Sequence, residues 1–366
     1  PFYLIESRIN GDSESFTKKS SKIYEPFDIE LDSKDKLVTS VKRFIPQEKK
    51  KKLLKLGRSP YDELFYKGAQ IFPRTIFFVD MLNRQEDDDQ VIEIKPSKKV
   101  SPKKLGRWNF LPYKKSKIEK DYVFSIAKST SLIPFTVLGY LDAFLPYKIE
   151  VKDGVKQLVE DESLKKNAQA HFNLVEGVFR QNKKPGASHS SLLEIINYQG
   201  CLSNPRQMAP LKVVYNGGGS IVKGALVEND NIVDYSMFYC PVESKTEAYY
   251  LIGYLNAPVL TESVKLVGST GYHGSLRNIV KHPWDFPWPI YSPRNAMHLE
   301  LSEMSQGLET KITSMVQKKL NLAKGVLPVE KGISRISVQN EIMNDEHIKE
   351  MLSKIDELVV QILNEE

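Results

Sequence analysis

The sequence is short of the residues and runs that define several large protein classes. Only two of its 366 residues are cysteine, Cys201 and Cys240, which excludes a disulfide scaffold and a four-cysteine zinc site. No apolar stretch approaches the roughly 20 residues a membrane-spanning helix needs; the richest, 135–145, is broken by Gly139 and Asp142. A Walker-type phosphate loop, a dinucleotide fingerprint, HExxH and CxxC are all missing. The six histidines (His171, His189, His273, His282, His298 and His347) include no i,i+4 pair, so no helix presents two imidazoles to one metal. The N-terminus PFYLIESRIN has no initiator Met and no secretion-signal layout, and reads as the start of a fragment or trimmed chain. The expected setting is cytoplasmic and reducing, away from membranes.

What is present is charge, unevenly placed. The net charge is +6. Residues 1–40 carry 6 Lys/Arg against 8 Asp/Glu, and residues 121–366 carry 25 against 28. Residues 41–120 carry 21 against 10, so the whole positive excess lies in one 80-residue stretch. It includes four successive lysines at 49–52 and then Lys98, Lys99, Lys103, Lys104, Arg107, Lys114, Lys115 and Lys117. Tyr61, Phe65, Tyr66, Trp108, Phe110 and Tyr113 interleave with them. Basic residues mixed with aromatics fit a surface that contacts phosphates and stacks on bases, although a solvated lysine-rich face gives the same pattern. An acidic cluster at 86–89 reads as a loop tip between strands.

The pattern along the chain predicts an α+β fold: a strand-rich mixed body followed by two long, antiparallel amphipathic helices. The run IFPRTIFFV at 71–79 reads as a buried strand paired with 91–94, and 96–120 as an extended loop. Strands are expected at 122–127, 133–138, 147–151, 211–216, 225–227 and 233–239, and helices at 155–182 and 245–255. A stripe of Leu301, Met304, Leu308, Ile312 and Met315 marks one C-terminal helix, and 324–343 reads as a loop. Ile348, Met351, Ile355, Leu358 and Ile362 mark the second helix, which Asn344 or Asp345 can cap. That second stripe serves either as internal core or as the seam of a homodimer. Four regions follow: a basic first lobe at 1–150, a connecting helix at 151–182, a second lobe at 183–295 and a helical pair at 296–366.

Two local patterns bear on chemistry. The turn of Gly217, Gly218, Gly219 and Ser220 after a strand can offer backbone N–H groups to a phosphate, but no lysine completes a nucleotide loop, and a plain hairpin turn explains it as well. Asp80 or the aspartates at 87–89, followed by Glu93 and Lys95, has the D…ExK spacing of metal-dependent nucleases, a spacing that a charged hairpin also produces. The segment HPWDFPWPI at 282–290 reads as a rigid packed connector.

Five stretches in order carry a resemblance: SPYDELFYKGAQIFPRTIFFVD (59–80), LLEIINYQGCLSNPRQ (192–207), KVVYNGGGSIVKGALV (212–227), VDYSMFYCPVESKTEAYYLIGYLNAPVLTE (233–262) and LRNIVKHPWDFPWPIYSPRNAMHLELSEM (276–304). Together they resemble the C-terminal, TaqI-like target-recognition region of adenine-N6 DNA methyltransferases of restriction-modification and phage-defence systems. The FxGxG loop and NPPY-type motif of the catalytic domain are not in this sequence. The resemblance therefore implies a reader of double-stranded DNA without catalytic residues of its own. S-adenosylmethionine is expected on a catalytic domain or subunit elsewhere, which is the implied protein partner. It points to Lys67, Arg74, Arg107, Lys114, Lys115, Tyr198, Arg206, Tyr215, Asn216, Lys223, Arg277 and Lys281 as the DNA-contacting set. A metal-dependent nuclease built on the D…ExK residues and a helix-mediated interaction scaffold stand as the alternatives.

Overall fold

Proline and alternation decide the first elements of the computed structural model, which describes residues 54–82, 90–97, 113–186, 189–268, 278–320 and 335–365. All its elements belong to one unit, Leu56–Glu366. After β1 (Tyr66–Lys67) the run expected as a single strand divides into one helical turn, α1 (Arg74–Phe77), and a strand, β2 (Val79–Met81). Pro73 is the reason: it sits at the N-cap, and its carbonyl accepts from the N–H groups of Ile76 at 3.0 Å and Phe77 at 3.3 Å. β2 pairs antiparallel with β3 (Val91–Pro96), as alternation predicted. β3 pairs in turn with β4 (Ser116–Glu119), which lies inside the stretch expected to be a loop. Crowded lysines hid that strand; its apolar Ile118 is buried in one cluster with Ile92 and Ile94.

β5 (Val123–Ala127) and β8 (Leu141–Phe144) pair antiparallel, with the small hairpin β6 (Leu132–Ile133) and β7 (Thr136–Val137) between them in sequence. The helix expected from 155 starts later. β9 (Tyr147–Lys152) and β10 (Val155–Glu160) form a hairpin closed by Asp153 and Gly154 at φ 52° and 78°. Two consecutive positive φ values match the twist of the flanking strands, and Asp-Gly is the residue pair that adopts them most easily. The helix, α2 (Lys166–Asn182), begins beyond it. Its N-terminus is capped from β4: the Glu119 carboxylate accepts from the backbone N–H of Asn167 at 3.0 Å and of Ala168 at 2.8 Å. Burial pushes that carboxyl up, but these hydrogen bonds outweigh it and the net shift is downward. The short α3 (Leu192–Ile196) follows.

The central sheet runs β1–β14–β11–β12, antiparallel throughout, with β11 (Leu211–Asn216) between β14 (Met237–Pro241) and β12 (Gly224–Glu228). β13 (Ile232–Val233) pairs parallel with β5. Strands from the expected first and second lobes thus share both sheets. Ser244 caps α4 (Lys245–Asn256) by accepting from Glu247 N–H at 3.1 Å. At the other end the Asn256 amide bonds both ways with Gly224, donating to its carbonyl at 2.8 Å and accepting from its N–H at 3.1 Å. Helix α5 (Pro258–Val267) starts at Pro258, whose missing N–H costs nothing there.

The C-terminal helices are α6 (Ala296–Leu320) and α8 (Glu346–Glu365), with α7 (Arg335–Asn344) occupying some of the expected loop. Lys311 pairs with Asp345 at 2.9 Å and Gly307 faces Met351, so α6 and α8 run antiparallel. Asp345 caps α8 through Ile348 N–H at 3.0 Å. Ile348, Leu352, Ile355, Leu358, Val359 and Ile362 are all buried, each worth about 1.5–3 kcal/mol against exposure. The stripe offered as a dimer seam is therefore covered from within the chain. Helix α6 also lies against α4, where a Cβ on Gly253 would fall 2.4 Å from Ser305 Oγ and 2.7 Å from Leu301 Cδ1. No helix among the described residues is long and apolar enough to cross a membrane.

Candidate nucleic-acid interface

The glycine run sits between β11 and β12, and a buried asparagine shapes it. Asn216 Nδ2 donates to the carbonyls of Gly218 and Ile221, both at 2.9 Å, while its Oδ1 accepts from Lys223 N–H at 2.8 Å. Gly217 N–H donates to Ser236 O at 2.9 Å, and its carbonyl accepts from the N–H groups of Ile279 and Val280 at 3.1 Å. Gly219 has φ 139°, which calls for glycine, and a Cβ at 217 would press on the Phe238 ring at 3.3 Å. Beside it lies a cleft of about 320 Å³, lined by Lys67, Ser129, Gly217, Gly218, Tyr235 and Val280 among others.

Cations gather near this cleft. Lys67 is exposed on β1 and lines it. Arg74 donates from Nη2 to the Tyr235 hydroxyl at 2.8 Å and lies 5.7 Å from that ring's centroid. Arg206 is exposed, its guanidinium 4.6 Å from the centroid of the Tyr66 ring; successive strand residues face opposite ways, so this pair lies across β1 from Lys67 and does not line the cleft. Arg335, from α7, donates to the Ser129 carbonyl at 3.0 Å. Lys128 is buried against Asp234 at 3.0 Å; burial pulls its pKa down further than the Asp234 carboxylate raises it.

Other residues expected to contact DNA are engaged inside the fold. Tyr215 is buried, donates to Val280 O at 2.8 Å and accepts from Trp284 Nε1 at 3.2 Å. Lys223 is buried and donates to Leu132 O at 3.0 Å, and burial pulls its pKa to about 7. Asn216 is likewise fully buried. These three brace the turn from below, because both faces of β11 are covered. Lys281 pairs with Asp62 at 3.1 Å. Tyr198 is 43% exposed with its ring edge-on to His189. Lys114 is exposed, and Lys115 pairs with Glu93 at 3.1 Å; both precede β4 and neither lines the cleft. Arg107 and Arg277 lie outside the described residues, as do the lysines at 49–52, Lys98, Lys99, Lys103, Lys104 and the aspartates at 87–89.

The HPWDFPWPI segment is a packed connector: Trp284, Phe286 and Trp288 are buried, and Trp288 stacks on Tyr254 at 4.2 Å. Asp80 stands opposite Lys95 in register, with Glu93 two residues along, so all three share one face of the β2–β3 pair. The carboxylates are separately engaged, Asp80 by the Ser97 hydroxyl at 2.8 Å and Glu93 by Lys115. Among the described residues no group of three or more His, Cys, Asp or Glu side chains converges to hold a metal. Sequence reasoning missed Ser129, Tyr235, Val280 and Arg335. They come to the cleft from four separate segments, and nothing local in the sequence links them.

Comparison with protein-family profiles and with curated proteins returns no match. Nineteen chains of solved structures match in fold. One is the Type IIL restriction-modification enzyme MmeI in complex with DNA, at 11% identity and a TM-score of 0.50, over 86% of this chain and 34% of that one. The likeness is one of fold, and the chain spans about a third of that enzyme's length.

Proposed function

We propose that this chain is the DNA target-recognition module of a restriction-modification system, of the kind that serves an adenine-N6 methyltransferase. Methyl transfer, with its S-adenosylmethionine, then belongs to a catalytic domain or subunit that this module guides to its site on duplex DNA. The observation that carries the reading is the cleft. Lys67 stands beside a turn whose glycines let a phosphate approach the backbone, Arg74 lies next to it on the cleft-lining Tyr235, and Arg206 adds an exposed guanidinium stacked on Tyr66 elsewhere on β1. Lysine and arginine at such a place displace the counterions of the phosphate backbone, and a stacked guanidinium is already oriented for a phosphate or a base edge. A fold shared with a portion of a restriction-modification enzyme solved on DNA supports the same reading. An enzyme that modifies a base inside a duplex must swing it out of the stack, so a second body has to hold and identify the flanking sequence.

Selection from a randomised duplex pool with the full chain, at two salt concentrations, tests this. Enrichment of a short site, with affinity falling steeply as salt rises, is the expected result. Absence of binding at low salt would overturn it.

A further inference from the structure

A β-branched residue in the left-handed backbone region is a conformational outlier, and the cleft holds one. Val280 has φ 45°. The conformation is fixed on both sides: its N–H donates to Gly217 O at 3.1 Å, and its carbonyl accepts from the Tyr215 hydroxyl at 2.8 Å. Tyr215 is itself held by Trp284 and fully buried. The side chain placed at this cost does not fill the core. It is 45% exposed and lines the cleft with Lys67 and the glycine turn. Strain maintained by a buried network in order to present an apolar group outward is the mark of a contact surface.

We infer that Val280 is a specificity-determining residue whose isopropyl group contacts the 5-methyl group of a thymine in the major groove. The inference rests on the DNA-recognition reading above. The thymine methyl is the apolar feature among the base edges of the major groove, and the minor groove offers none. An intercalating wedge calls for a longer side chain such as Phe, Leu, Ile or Met; valine's branches end one carbon beyond Cβ, too short to separate stacked base pairs. The neighbouring cations anchor phosphates of any sequence, so a methyl contact adds the discrimination they lack.

The test starts from the duplex enriched by the full chain and replaces each thymine in turn with deoxyuridine, which removes only the methyl. Deoxyuridine at one position weakens wild-type binding about fourfold, the worth of one buried methyl-sized group. Val280→Gly, which relieves the backbone conformation, binds the thymine and deoxyuridine duplexes alike and keeps the wild-type salt dependence. Val280→Asn, which tolerates a positive φ, serves if the glycine variant does not fold. A selected site without thymine, or wild-type indifference to every replacement, overturns the inference while leaving the recognition reading intact. Failure to enrich any site overturns the recognition reading, and this inference with it.

Discussion

The guanidinium of Arg206 rests 4.6 Å from the centroid of Tyr66, whose ring lies 6.0 Å from that of Tyr239. A central-sheet strand and the two-residue β1 thus fix an exposed cation, and among the described residues no carboxylate pairs with it. Under the recognition reading, Arg206→Ala lowers duplex affinity about tenfold and reduces the slope of log affinity against log salt by about 1. Tyr66→Leu removes the platform and keeps the charge, so affinity falls by less and the slope is unchanged. Fluorescence anisotropy titrations across a salt series give both quantities.

Asn216 organises the glycine turn through three hydrogen bonds made by one buried side chain. Asn216→Ala leaves the buried Lys223 N–H without its partner, which costs about 1–3 kcal/mol, while water can reach the carbonyls of the exposed Gly218 and half-buried Ile221. A net loss of about 2 kcal/mol is expected, read as a lower urea midpoint.

His171 is buried edge-on to Tyr113 and Phe144, with Nδ1 3.0 Å from Ser116 Oγ, and burial pulls its pKa to about 4. An unfolded imidazole takes its proton near 6.5. Between those values the unfolded chain binds the extra proton, so stability falls as pH drops from about 6.5 towards 4, by up to about 3 kcal/mol. His171→Phe removes this contribution, and the acid-unfolding midpoint moves to lower pH.

Lys212 lies fully buried, its ammonium donating to the carbonyls of Gln207 at 2.7 Å and of Ala209 and Asn229 at 2.9 Å. It ties the 207–209 turn, β11 and the β12–β13 loop together. Lys212→Met strands three carbonyls, and a loss of about 2–4 kcal/mol is expected by urea unfolding.

Elements with a clean local period were legible in the sequence. β11 reads as a continuous apolar strand, α4 announces itself with Thr246 and Glu247 in its first turn and Asn256 and Pro258 at its stop, and the stripe of α8 is unambiguous. The errors fell where the local period was misassigned. Leu158 lies six residues before Leu164, an even separation that suits one face of a strand better than one face of a helix, and the Asp153–Gly154 turn decides. At the site, the glycine turn drew attention to Tyr215, Asn216 and Lys223, yet alternation along β11 could not reveal that both faces are covered. The cleft brings together β1, the loop after β5, the β11–β12 turn and the segment at 278–280, contacts that span more than 200 residues of sequence.

The missing Cβ at Gly253 bears on how such a module can be transplanted. Helices α4 and α6 approach so closely there that neither surface tolerates an independent partner. A chimera spliced near 295 would pull apart surfaces shaped to each other. Under the recognition reading, the central sheet and its C-terminal helices therefore move between enzymes as one cassette, and a new specificity grafted without α6 would arrive without its foundation.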